Sequence, residues 1–207
     1  MAVLQQTLLG VGDPAVDPDR AEDRVDLDDS SWVEVVRGWL RGADTLFAAL
    51  ESTVPWRHGK RWMYERMVDE PRLTRAYARE GALPHPALAG IGTELDRRFG
   101  ARFGGLFLNY YRDGADSVAF HRDRDLRDVD AGLVAIVTLG ATRPFLFRPR
   151  GGGASLDVRP GSGDLLVMRG RCHCDWEHGV PKVARSGPRI SVSMRASVTR
   201  AVADRNA

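Results

Sequence analysis

From Gly104 onward the chain is a succession of short runs rich in β-branched and aromatic residues: GLFLNYY, SVAFH, LVAIVTLG, PFLFRP, ASLDV, DLLVM and RISVSMRASV. Between them lie the turn-forming stretches DGAD, GATRP, RGGG, PGSGD and RSGPR. Runs this short suit strands better than helices, and Gly or Pro at each boundary stops one strand before the next begins. The pattern predicts a β-sandwich or barrel for the C-terminal half.

The first half reads differently. Residues 12–30 are polar, hold two prolines and show no apolar period, which predicts a loop. Trp32 to Leu40 fits a strand or a helix, with its valines and tryptophans favouring the strand. Asp44 is placed to cap a helix through ADTLFAALEST that Pro55 ends. Residues 55–84 mix aromatics and bases without a clear period, and Pro86 to Phe99 forms a helix with Gly100 after its end. A chain of 207 residues arranged this way is one domain with a short appendage.

Residues 1–30 hold eight acids and two bases, so a net charge of −6 sits there and +8 on the remainder. Of the 30 basic residues, all but Lys60 and Lys182 are arginine, which grips phosphates and carboxylates with paired donors. Nucleic acid is therefore a permitted partner of the basic body. No apolar run is long enough to span a bilayer, and the opening residues lack a basic, signal-like start. With only Cys172 and Cys174, no disulfide framework is available, and the expected location is the cytoplasm.

The chemistry is carried by four separated motifs. His121 and Asp123 stand two apart at a strand end, so both side chains take one face. His178, 57 residues later, is the candidate third ligand. Two imidazoles and a carboxylate on one face of an octahedron are the ligand set of non-haem Fe(II) oxygenases, with three positions left for a bidentate co-substrate and O2. Arg189 and Arg195 are six apart on a strand and share a face with Ser191 and Ser193. A doubly basic inward face is costly unless anions pair with it, and a small dicarboxylate supplies one carboxylate for each arginine. Asn109 and Tyr111, also on one face, offer hydrogen bonds to the same ligand.

In this order the motifs resemble the AlkB family of Fe(II)- and 2-oxoglutarate-dependent dioxygenases, in the branch whose turn after Asn-x-Tyr reads Arg-Asp-Gly-Ala-Asp. The resemblance spans about residues 30–198 and is densest over 105–195. It implies an α+β, mainly β fold: a double-stranded β-helix (jelly-roll) core with N-terminal helices packed on one side. It implies that His121, Asp123 and His178 ligate iron, that Arg189 and Arg195 bind 2-oxoglutarate, and that Asn109 and Tyr111 hydrogen-bond it. The family's last motif often reads Arg-x-Asn-x-Thr-Phe-Arg. Here Ser191 replaces the asparagine and Ser193-Met194 replaces Thr-Phe, while both arginines stand.

The implied organisation is an acidic arm at 1–30, a dioxygenase domain at 31–198 and a tail at 199–207. Within the domain, 55–84 corresponds to a nucleotide-recognition lid and 104–198 to the β-helix core. Trp62 and Tyr64 in the lid, among Arg57, Lys60, Arg61 and Arg66, suit stacking on a base with phosphate contact. Asp125 takes the position at which an acid touches the damaged base in similar proteins. The implied activity is oxidative demethylation of N-alkylated bases in single- or double-stranded DNA, with RNA as a further substrate, by a monomer that releases formaldehyde in direct-reversal repair. The alternatives are a hydroxylase of the same chemistry acting on a protein, lipid or small molecule, and a non-enzymatic nucleic-acid-binding module. Cys172-His173-Cys174 imitates part of a zinc site, but its spacing is not the common one, and its place suggests a loop near the site mouth.

Overall fold

Period-two alternation sorts the residues of the central strands onto two faces, and each face finds its own core. The computed structural model describes residues 10–63, 65–123, 126 and 132–197; the side chains of residues 60–63, 66, 68, 69 and 197 lie outside that description. The strands are β1 (Ala15–Val16), β2 (Asp23–Asp28), β3 (Ser31–Val36), β4 (Leu40–Arg41), β5 (Arg57–Met63), β6 (Arg66–Tyr77) and β7 (Leu106–Tyr111). They continue with β8 (Val118–His121), β9 (Gly132–Gly140), β10 (Leu146–Pro149), β11 (Leu156–Asp157), β12 (Leu165–Gly170), β13 (Trp176–Val180) and β14 (Arg189–Ser197). The helices are α1 (Ala43–Thr53), α2 (Ala87–Phe99) and the single turn α3 (Cys172–Asp175).

An eight-stranded sheet runs in the order β2-β3-β12-β9-β14-β7-β6-β5, and a four-stranded sheet in the order β11-β10-β13-β8. β1 and β4 pair separately as a short ribbon. Two antiparallel sheets of this kind make the open jelly roll that the strand pattern predicts. In the large sheet, Leu133, Ala135, Val137 and Leu139 of β9 and Ile190, Val192 and Met194 of β14 meet Leu46, Phe47 and Leu50 of α1 and Leu88, Ile91 and Leu95 of α2. The opposite face sends Val134, Ile136, Leu166 and Met168 into a second core with Phe145 and Phe147. β9 is therefore buried along its whole length, which its unbroken apolar run requires. Both longer helices lie on one side, leaving the other face of β7 and β14 free to line a cavity.

Several local readings are corrected. Residues 23–28, read as loop, form an edge strand on β3, because Val25 and Leu27 alternate half-buried between exposed acids. Residues 57–77 form the hairpin β5–β6 joined to β7, a strand pair that a charged sequence containing Pro71 conceals. Asp44 does not cap α1; Gly42 takes the cap position in a left-handed conformation, and a Cβ there would lie 2.5 Å from the Gly12 carbonyl oxygen. Asp44 sits in the first turn, accepting a hydrogen bond from Ser162 Oγ at 3.0 Å. α2 begins after Pro86 and ends at Gly100 with φ of 58°, as the sequence leads one to expect.

Candidate active site

His178 lies on β13 directly opposite His121 on β8, with ring centroids 4.4 Å apart. Gly179 makes this closeness possible. A Cβ there would stand 3.0 Å from the Val118 carbonyl oxygen and 3.1 Å from the Phe120 nitrogen. Asp123 follows β8 by two residues, and its Oδ2 is 3.9 Å from His178 Nε2. One ligating atom from each of His121, Asp123 and His178 falls within 4.8 Å of the others, and among the described residues no other group of three His, Cys, Asp or Glu does so.

Each of the three is held in a defined state. His121 Nδ1 donates to the Ala119 carbonyl at 2.9 Å, which leaves Nε2 with its lone pair outward. The His178 ring stacks on Phe145 at 5.7 Å with the planes 8° apart, and Phe147 lies at 6.1 Å. Burial among these rings, followed by the neighbouring His121, pushes the His178 pKa down to about 3, so the imidazole is neutral at physiological pH. Asp123 is 6% exposed. Burial alone would raise its pKa, but His178, Arg195 and His121 outweigh that and hold it below the ordinary carboxylate range. Arg195 Nη2 donates to Asp123 Oδ1 at 2.6 Å, while Oδ2 is buried with no hydrogen-bond partner in the protein.

These groups line a cavity of about 560 Å³, together with Asn109, Tyr111, Ser191, Ser193 and Arg72. That is within the range of about 300–1,000 Å³ usual for small-molecule sites. β14 pairs with β7 in the register Arg189↔Tyr111 and Ser191↔Asn109, so the two predicted co-substrate motifs are neighbours. Arg189 is completely buried, its guanidinium carbon 5.5 Å from the Tyr111 ring centroid. Nη2 donates to Thr138 Oγ1 at 3.1 Å, while Nε and Nη1 have no partner. Burial drags its pKa down to about 10. The two arginines thus differ: Arg195 already has a carboxylate from the chain, whereas Arg189 is a sequestered cation with none among the described residues.

The donor set fits the groups that the sequence implies. Two imidazoles and a carboxylate with one unpartnered oxygen suit a ferrous ion. Nε of Arg195 and Oγ of Ser191, both unpartnered, line the cavity with Asn109 and Tyr111 and suit a small dicarboxylate such as 2-oxoglutarate; Arg189, with Nε and Nη1 unpartnered, packs behind the cavity-lining Tyr111. Of the predicted substrate contacts, Asp125 and Tyr64 lie outside the described residues, and Trp62 is placed on β5 with its side chain outside the description. Cys172 and Cys174 are buried on α3 rather than in a loop. Burial raises the Cys172 thiol well above its ordinary range, which disfavours the thiolate that zinc needs. Reading the sequence missed Phe145 and Arg72. Arg72 reaches the cavity from β6 and Phe145 from just before β10, and strand pairing, not the spacing of either residue, puts them there.

The chain is 31% identical over 180 residues to alpha-ketoglutarate-dependent dioxygenase alkB homolog 3 of Bos taurus, covering 75% of this chain and 62% of that protein. It is 28% identical over 191 residues to DNA oxidative demethylase ALKBH2 of Arabidopsis thaliana, covering 73% and 61%. The chain thus spans about three fifths of the length of the curated relatives it matches. Among solved structures, a Trichoplax adhaerens prolyl hydroxylase in complex with a hypoxia inducible factor peptide superposes with a TM-score of 0.61 at 10% identity, covering 84% of this chain and 87% of that one. OsALKBH1 superposes with a TM-score of 0.58 at 13% identity, covering 84% and 99%. Both share the fold. The sequence profile of the 2OG-Fe(II) oxygenase superfamily matches residues 58–200, well over half of the chain, and it is to this superfamily that the protein belongs.

Proposed function

We propose that the protein is an Fe(II)- and 2-oxoglutarate-dependent dioxygenase that demethylates N-alkylated bases in DNA, with RNA as a further substrate. The observation that carries the reading is the His121–Asp123–His178 group, with Asp123 and His178 buried, lining one cavity with Asn109, Tyr111 and Arg195, while Arg189, packed on Tyr111, has two unpartnered donors and no anion among the described residues. The names of the relatives, an alkB homolog and a DNA oxidative demethylase, give the substrate class.

His121, Asp123 and His178 would hold the iron. With 2-oxoglutarate and O2 the iron supplies the oxidising power to hydroxylate an N-methyl C–H bond, which acid–base chemistry cannot cleave. The chain's own residues prepare the site. Ala119 fixes the His121 tautomer, and Arg195 fixes the Asp123 carboxylate. Arg189 and Arg195, with Asn109 and Tyr111, bind 2-oxoglutarate, and Phe145 shields His178 from water. The target base must leave its stack to reach a group this deep. Residues 55–84, with Trp62 and Tyr64, are our candidate for the lid that receives it, and Asp125 is our candidate contact with the base. We place the protein in the cytoplasm as a monomer. No helix among the described residues is long and apolar enough to cross a membrane.

The full chain with Fe(II), 2-oxoglutarate and a methylated oligonucleotide is expected to yield formaldehyde and the restored base, and His121→Ala to yield neither. Full turnover by that variant would overturn the reading. Turnover stimulated by a peptide or metabolite but not by methylated DNA or RNA would keep the chemistry and replace the substrate.

A further inference from the structure

Arg72 lies on β6, two residues before Thr74, which stands directly opposite Asn109 of β7. A long side chain reaches a diagonal cross-strand neighbour, and Arg72 Nε donates to Asn109 Oδ1 at 2.7 Å. The Arg72 side chain is 14% exposed and lines the same cavity as His121, Asp123 and His178. Its other end is fastened, with Nη2 3.4 Å from Glu70 Oε2. Arginine has only donors, so the atom of the Asn109 carboxamide that faces it must be the oxygen. The two N–H donors of Asn109 are then what the amide has left for the cavity. Reversed, the same amide would present a carbonyl oxygen to an incoming carboxylate and repel it.

We propose that Arg72 is a positioning residue for 2-oxoglutarate. By holding Asn109 Oδ1 it keeps the Asn109 N–H groups available to the co-substrate. The inference rests on the functional reading above. It gives the hairpin a role in co-substrate binding besides any contact with nucleic acid. The backbone ladder between β6 and β7 already joins the two strands from Leu73↔Tyr110 to Tyr77↔Leu106, so the Arg72 side chain is not needed for that.

The test is calorimetric titration of 2-oxoglutarate into the Mn(II)-loaded full chain, which needs no turnover. Arg72→Gln is expected to weaken 2-oxoglutarate binding about tenfold, the size of one charge-assisted hydrogen bond. Mn(II) binding should be unchanged. Arg72→Lys, which keeps a donor-only cation, should recover part of the loss. Arg72→Gln combined with Asn109→Ala should bind no more weakly than Asn109→Ala alone, since Arg72 acts through Asn109. Unchanged binding by Arg72→Gln, or losses that add in the double variant, would overturn the inference while leaving the functional reading intact. A wild-type chain that binds Mn(II) but no 2-oxoglutarate would overturn both.

Discussion

Arg189 shows how much one side chain can reveal. A fully buried guanidinium with two unpartnered N–H groups costs stability, since the chain has removed a charge from water and given it only Thr138 in return. That cost is sensible only if a ligand repays it. Arg189→Met, of similar length and apolar, should therefore leave the ligand-free protein at least as stable as wild type, with a gain of about 1 kcal/mol in urea unfolding. The thermal stabilisation that 2-oxoglutarate gives the wild type should disappear. A loss of more than about 1 kcal/mol in the ligand-free variant would show that Arg189 is a structural cation instead. At this scale the sequence was informative where spacing alone decides geometry. His121 and Asp123, Asn109 and Tyr111, and Arg189 and Arg195 are pairs at even spacing on or beside single strands, and period two puts each pair on one face without knowledge of the strand pairing. Arg72 was not legible, because its contact with Asn109 crosses between strands 37 residues apart.

Among the elements, β8 and β13 matter most. Neither strand is long, and the site depends on their meeting at His121↔His178 with a register irregularity just beyond. Gly179 controls how close they come. Gly179→Ala is expected to push β13 from β8 by a few tenths of an ångström, because the new methyl would meet backbone that cannot rotate away. Circular dichroism should be unchanged while Mn(II) affinity falls about tenfold. Wild-type affinity in this variant would mean that the strand spacing is not what sets the ligand geometry. The strands after Gly104 were readable because apolar runs and turn residues alternate there. β2 was hidden because its two half-buried side chains, Val25 and Leu27, sit among acids, and propensity weighs the acids more heavily than the pairing with β3 does. The β5–β6 hairpin was hidden for a related reason: its charged residues carry no period-two apolar signal.

Across the whole molecule, the acidic N-terminal region is stitched to the basic body. Arg98 pairs with Glu22, and Trp176 Nε1 donates to Asp28 Oδ2 at 2.6 Å, which ties β2 to the strand that carries His178. The charge difference of −6 against +8 read from the sequence therefore describes partners within one body as well as a surface for others. Helices cover one side of the large sheet, the second core fills the space between the sheets, and the cavity opens where polar residues of β7 and β14 interrupt that core. The proposed function depends on three side chains from two segments, His121, Asp123 and His178, sharing one ion. Electron paramagnetic resonance during titration of Mn(II) into the metal-free chain with 2-oxoglutarate measures this directly. The wild type should take up one ion per chain, and Asp123→Ala should show no saturable uptake. Equal uptake by the two proteins, or none by the wild type, would contradict the shared site.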